Sequence, residues 1–273
     1  MTELQFTKMS GCGNDFIAIN NMDNHFPEEI RQKLFAKWCS RGLSIGSDGV
    51  IILEPASSPD FAFRMRYYNA DGGEAATCGN GSRCMAKFAY LEGVAPANMQ
   101  FETLAGLYKA TIHEDGRATV DLSDASEIAG PFKISEPIVP NNIYSINTGV
   151  PHAVIFVDDI WNVQVGTIGH YLRYHSLFEP AGANINFAQV VDENHMTVRT
   201  YERGVEAETL ACGTGSIACC IIGERLGLVK SPVDVQTCSK ETLGVTFVPT
   251  KTGATKITLT GNAVEVFRGV INY

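Results

Sequence analysis

Residues 67–84 read YYNADGGEAATCGNGSRC, and residues 201–216 read YERGVEAETLACGTGS. Sliding the chain by about 134 residues lays Cys78-Gly79-Asn80-Gly81-Ser82 on Cys212-Gly213-Thr214-Gly215-Ser216, and with them Tyr67 on Tyr201 and Glu74 on Glu208. Two weaker matches lie upstream in the same order. Gly13-Asn14-Asp15-Phe16 pairs with Gly149-Val150-Pro151-His152, and Gly46-Ser47-Asp48 pairs with Gly182-Ala183-Asn184. Order kept at three places marks an internal duplication rather than chance likeness among glycine-rich turns.

Around these motifs the chain is mostly strand. Alternating or β-branched runs include FAFRMRYY at 61–68, AVIFV at 153–157, MTVRTY at 196–201, LGVTFV at 243–248 and AVEVF at 263–267. Helical patterns are fewer: PEEIRQKLFAKWC after Pro27, Gly79 to Leu91, a segment around Ile168 to Phe178, and Gly213 to Leu226. With 273 residues the chain is long enough for two cores. The pattern predicts an α+β protein of two similar, pseudo-symmetric domains. The first half is set at 1–122 and the second at 123–267, with the last strand, 268–273, able to return to the first half.

A net charge of −9 repels phosphate backbones and anionic lipid, so neither nucleic acid nor a membrane surface is expected as partner, and a small molecule is. The opening MTELQFTKMSGCGNDF lacks the basic start, apolar core and cleavage site of a secretory signal, and no apolar stretch is long enough to span a bilayer. A cytoplasmic protein is expected, in which the eight cysteines stay as thiols.

Each Cys-Gly-X-Gly motif opens a helical pattern, which puts Cys78 and Cys212 at helix N-termini. There, backbone N–H groups without partners and the positive end of the helix dipole lower a thiol's pKa, and the same groups can hold a carboxylate. Glycine lets that backbone approach a ligand closely. Taken singly, a cysteine at a helix start is more often a small packing residue; the repetition with polar flanks favours chemistry. Removing a proton from an amino-acid α-carbon pushes charge into the carboxylate, and without a pyridoxal cofactor that charge needs N–H donors. A thiolate taking a proton on one face while a thiol delivers one on the other would invert the centre. No cofactor and no metal are expected. Cys84 has no counterpart in the second copy, where Ala218 stands, so it reads as packing. Cys219 and Cys220 read as helix core, and Cys12, Cys39 and Cys238 as structural. Gly213 to Ala218 formally fits a dinucleotide fingerprint, but the charged YERGVEAETLA before it is not a buried parallel strand.

At these residues the chain resembles the diaminopimelate epimerases, which interconvert LL- and meso-diaminopimelate without a cofactor on the route to lysine and peptidoglycan. The resemblance spans nearly the whole chain through GCGNDF (11–16), IGSDGVI (45–51), YYNADGGEAATCGNGSRC (67–84), TGVPHAV (148–154), GANINF (182–187) and YERGVEAETLACGTG (201–215). It implies that each domain is a mainly antiparallel β roll or barrel around a central helix, with the active site in the interdomain cleft, and that the protein is a homodimer. It implies Cys78 and Cys212 as the acid and base, with Gly79, Asn80, Gly213 and Thr214 presenting N–H groups to the reacting carboxylate. Asn14, Asn69, Asn184, Glu202 and Arg203 match substrate-binding positions, and His152 and Glu202 match positions that tune the cysteines. A second amino-acid head suits this set: Arg203 for a carboxylate, Glu202 and the asparagines for an ammonium.

The chain departs from the family where many members carry Gln at Gly49 and Asn at Val150, which shifts recognition of the distant head toward Asn69, Asn184 and Arg203. The alternative within the fold is a proline, hydroxyproline, glutamate or histidine racemase, which keeps both cysteines but needs no Arg203. An amino-acid-binding protein with an inert site is the alternative from a different class.

Overall fold

Each half sets two helices among short strands joined by tight turns. The computed structural model describes residues 2–76, 78–139 and 142–273. The chain forms two contact units, one running up to Val120 and taking in Thr260–Tyr273, the other Asp121–Leu259.

The first unit runs β1 (Glu3–Gly11), β2 (Asn14–Asn20), α1 (Arg31–Cys39), β3 (Gly49–Glu54), β4 (Arg64–Asn69), β5 (Glu74–Ala75), α2 (Gly79–Leu91), β6 (Asn98–Thr103), β7 (Gly106–Ile112) and β8 (Ala118–Leu122). The second runs β9 (Ser126–Phe132), β10 (Ile143–Asn147), β11 (Pro151–Phe156), α3 (Val165–Arg173), β12 (Asn184–Asp192), β13 (His195–Glu202), β14 (Ala207–Thr209), α4 (Gly213–Arg225), β15 (Val233–Gln236), β16 (Thr242–Pro249) and β17 (Ala254–Gly261). A final strand, β18 (Val264–Asn272), pairs antiparallel with β1 in the first unit.

The pairings repeat. β2 lies parallel to β3 across α1, as β11 does to β12 across α3. β3 and β4 are antiparallel, as are β12 and β13. β4 meets β6 in parallel, as β13 meets β15. The other side of each first strand is also taken: β18 pairs with β1, and β9 with β10.

Each sheet is covered on both faces, which explains why β3, GVIILE, is buried at every residue. In the first unit Ile17, Ile19, Val50 and Ile52 face Phe35 and Trp38 of α1. On the opposite face α2 rests against β1, β2, β3, β4, β7 and β18. In the second unit Ala153, Ile155, Ile185 and Phe187 meet Val165, Ile168 and Leu172 of α3, while α4 lies against β10, β11, β12, β13 and β16. The sheets thus wrap α2 and α4, as expected for two β rolls around central helices. No helix among the described residues is long and apolar enough to cross a membrane.

The helix bounds follow the sequence closely for α2 and α4 and less so elsewhere. α1 starts at Arg31, because 28–30 form a turn in which Arg31 N–H donates to Glu28 O (3.1 Å) and Ile30 has no side-chain acceptor to cap an earlier start. α3 starts at Val165, three residues before the apolar pattern becomes evident, and ends at Arg173; Ser176–Phe178 is a separate 3-10 turn.

Gly169 in α3 shows how tightly the second unit packs. A Cβ there would stand 2.4 Å from Tyr201 Cβ. Alanine favours a helix over glycine by about 1 kcal/mol, yet overpacking of this kind costs about 1–3 kcal/mol. Gly169→Ala should therefore lower the urea midpoint; a gain would show that Tyr201 yields freely.

Candidate active site

In the first unit, β4 turns back through 69–73 into β5 and leads to Cys78, the N-cap of α2. Arg66 of β4 grips Glu74 of β5 with Nε and Nη2, the second bond being 2.8 Å. This bidentate clamp fixes the hairpin four residues ahead of Cys78. Cys78 has extended backbone (φ −146°, ψ 119°), and its Sγ accepts the N–H of Gly81 at 3.4 Å. The sulfur thus fills the place of the usual capping oxygen at a helix start, where the dipole favours a thiolate.

The second unit repeats the design. Arg199 of β13 grips Glu208 of β14 through Nε and Nη2 at 2.7 and 2.8 Å, again four residues ahead of the cysteine. Cys212 caps α4 with φ −120° and ψ 108°. Its Sγ lies 3.6 Å from Thr214 Oγ1, and no side-chain capping bond is formed. A Cβ on Gly215 would fall 2.2 Å from Asn186 Oδ1 and 3.2 Å from Cys212 Sγ, so only glycine lets the helix start this close to β12.

The two motif cysteines are half-buried, as is Cys238, whereas Cys12, Cys39, Cys84, Cys219 and Cys220 are buried. Burial pushes the Cys39 thiol up to about 12 and the Cys219 and Cys220 thiols well above their ordinary range. Cys238 is raised too, by burial and by Glu208 beside it. Such thiols stay protonated and inert.

The remaining positions fall on the same edges. Asn14 opens β2 and donates to Asp48 Oδ2 at 3.2 Å, while its Oδ1 accepts from Asn80 Nδ2. Asn69 ends β4 and is exposed. Asn184 opens β12, with its Oδ1 taking the N–H of Arg203 (2.8 Å). Arg203 donates through Nη1 to Ala181 O at 3.2 Å. Glu202, the last residue of β13, accepts from Thr209 Oγ1 at 2.5 Å. Gly213 and Thr214 form the first turn of α4, and Thr148 Oγ1 braces Thr214 O at 3.2 Å. In α2 the same place belongs to Gly79 and Asn80.

His152 is fully buried on β11. Asn186 Nδ2 donates to the carbonyl of Ala153 (2.8 Å), and Asn186 Oδ1 accepts from Thr200 Oγ1 (3.0 Å). That fixes the amide, so His152 Nδ1, 3.0 Å from Asn186 Nδ2, is an acceptor and the ring proton sits on Nε2. Nε2 has no hydrogen-bond partner among the described residues. Burial pushes this histidine down to about 3. It is therefore a neutral N–H donor. Asn186 lies inside the GANINF stretch and is not among the residues singled out from the sequence. Its signal was alternation, which puts it on the same face of β12 as Asn184.

Gly49 has a packing cause. A Cβ there would lie 2.5 Å from Tyr68 O and 2.8 Å from Tyr67 Cε2. The Tyr67 ring stands where a longer residue would need to go. Val150 is half-buried, and its carbonyl accepts from Thr148 N–H at 3.2 Å. Among the described residues no group of three or more His, Cys, Asp or Glu side chains could hold a metal ion.

The model of the diaminopimelate epimerase family matches residues 6–128 and again 144–266, once for each half. The diaminopimelate epimerase of Hydrogenobaculum sp. is 42% identical over 276 residues, covering 98% of each chain. That of Aquifex aeolicus is 39% identical over 286 residues, covering 97% of each. Solved structures share the fold at low identity. A Bacillus anthracis phenazine biosynthesis protein of the PhzF family has a TM-score of 0.76 at 17% identity, with all of both chains covered. A probable proline racemase from Agrobacterium radiobacter has 0.75 at 15%, covering 99% of this chain and 92% of its own.

The neutral His152 makes stability depend on pH. Unfolding returns the ring to its ordinary pKa near 6.5. The stability gained by keeping it neutral is whole above that pH and drains away as pH falls toward 3. His152→Asn keeps an acceptor for Asn186 and removes the titration. Between pH 7 and pH 5 the wild type should lose about 2 kcal/mol more than this variant. Equal losses by urea unfolding would contradict the buried, neutral ring.

Proposed function

The chain belongs to the diaminopimelate epimerase family, and from that premise we propose that it interconverts LL- and meso-2,6-diaminopimelate without a cofactor, using Cys78 and Cys212 as the acid and base pair. The observation that carries this reading is the duplicated placement of a half-buried thiol at the N-cap of an enclosed helix, behind a bidentate Arg–Glu clamp. The product serves lysine and peptidoglycan precursor synthesis.

In the forward direction one cysteine, as thiolate, takes the α-proton. The S–H bond forms as the C–H bond breaks, and the electron pair spreads into the carboxylate. N–H groups of Gly79 and Asn80 and of Gly213 and Thr214 hold that carboxylate where its charge grows. The second cysteine, as thiol, gives its proton to the opposite face of the carbon and is left as thiolate. Acid and base have exchanged protonation states, which readies the site for the reverse reaction. Asn14, Asn69, Asn184, Glu202 and Arg203 bind the substrate, with Arg203 taking the distant carboxylate. His152 acts on its surroundings as a neutral hydrogen-bond donor, and Glu202 as a nearby negative charge.

A thiol pair that must stay reduced suits the cytoplasm. A homodimer is part of the proposal, with the exposed Val264, Val266, Phe267 and Val270 of β18 as apolar surface for a second copy. Val266→Asp/Val270→Asp should then sediment as a monomer; a wild type already monomeric at micromolar concentration would end the dimer reading.

The decisive assay incubates LL-diaminopimelate with reduced enzyme in deuterated buffer, with single-headed amino acids as controls. Inversion with one deuterium at the α-carbon is expected. Cys78→Ser and Cys212→Ser should each lose at least about 10³-fold in turnover with circular dichroism unchanged. Near-normal inversion by either variant would sink the two-thiol mechanism, and turnover of a control alone would move the chain to a racemase.

A further inference from the structure

Arg83, on α2, is completely buried, yet no carboxylate pairs with it among the described residues. Its Nε and Nη1 have no hydrogen-bond partner there either. Only Nη2 is used, donating to Asn80 Oδ1 at 2.9 Å. As packing this is a poor choice, because an apolar residue of similar length would fill the space without leaving N–H groups and a charge unmet. What an arginine supplies and an apolar side chain lacks is a group that can only donate.

That property decides the direction of a chain of hydrogen bonds. Since Arg83 can only donate, the oxygen of Asn80 must face it, which turns Asn80 Nδ2 toward Asn14. Asn80 Nδ2 donates to Asn14 Oδ1, and this turns Asn14 Nδ2 toward Asp48, to whose Oδ2 it donates at 3.2 Å. The far end is a carboxylate, which can only accept. Asp48 is itself held by Arg41 Nη2 on Oδ1 (2.7 Å) and by the N–H of Asp15 on Oδ2 (3.1 Å). A carboxamide is nearly symmetric in shape, so packing alone barely distinguishes its two orientations. Here a donor-only end and an acceptor-only end agree on one.

We propose that Arg83 and Asp48 are positioning residues that together set the amide polarity of Asn80 and Asn14, and so decide which amide atoms Asn14 presents to the substrate. This rests on the reading above, in which Asn14 binds the substrate and Asn80 offers it a backbone N–H. Neither Arg83 nor Asp48 needs to touch it.

Either end alone still dictates the direction, because each asparagine passes the constraint to the next. Single variants should therefore be mild and the double variant severe. Arg83→Met and Asp48→Ala should each raise KM for diaminopimelate by no more than about 3-fold with kcat little changed. The double variant should exceed the product of the two by about 10-fold, the size of coupling expected within one hydrogen-bond network. Arg83→Lys, again donor-only, should bring the Asp48→Ala background back to the level of Asp48→Ala alone. Arg83→Met should unfold at a temperature no lower than the wild type. Strictly multiplicative singles, or no advantage of lysine over methionine, would overturn the proposal, since a merely structural arginine gives both.

Side-chain amide NMR of protein labelled with ¹⁵N-asparagine reads the polarity without activity. Asn80 and Asn14 should each give one pair of NH₂ signals in the wild type and both single variants, and two sets in the double variant. One set throughout would refute the relay even in an active enzyme. A wild type that does not invert diaminopimelate would instead remove the substrate reading, and the spectra would then test the relay alone.

Discussion

The rest of the structure follows from enclosing a helix inside a sheet. α2 and α4 are covered nearly all round, so their faces cannot be divided into an apolar stripe and a wet one. Small and apolar residues fill α4 from Gly213 to Gly223 and most of α2 from Gly79 to Ala89, where Asn80, Arg83 and Lys87 are the exceptions. The helices lie close enough to the strands that Gly215 has Asn186 where a Cβ would be. Enclosure also concentrates chemistry at the ends. A buried helix has its first N–H groups to offer only at its N-terminus, and in both units the residue placed there is cysteine.

Much of this was legible. The duplicated Cys-Gly-X-Gly motif located both buried helices, because glycines and small polar residues at a helix start followed by an apolar run have few other readings. Both cysteines stand at the helix N-caps that the motif predicts. The Arg–Glu clamps were half visible: Glu74 and Glu208 superimpose under the sequence shift, while Arg66 and Arg199 are one residue out of register and so escaped. Strand β9, SEIAGPF, carries glycine and proline and is mostly exposed, which is why no alternation betrayed it. The directions of amides and the tautomer of His152 could not be read at all, since they depend on which groups meet across strands 30 or more residues apart. Gly49 gave the opposite lesson. Set against family pattern it looked like a lost ligand group, and in the fold it is the residue that leaves room for Tyr67.

The two halves are alike but not equal. Cys78 accepts a backbone N–H, whereas the neighbour of Cys212 is the hydroxyl of Thr214. The first unit carries a buried cation, Arg83, on its helix, and the second carries the apolar run from Ile217 to Ile222. On the proposed reaction this inequality is reasonable. Inverting one centre of a molecule whose other centre stays fixed relates two diastereomers, not mirror images, so the groups on the two sides of the carbon have no reason to match.

The placement of β18 bears on how the protein is made. β1 is made before the other described strands, yet one of its edges is taken by β18, which is made after all of them. Throughout synthesis that edge, from Leu4 to Ser10, must wait beside a growing polypeptide that contains a near copy of its own surroundings. The first unit is thus begun before the second and closed after it, since β1 can pair with β18 only once the strands of the second unit have been made.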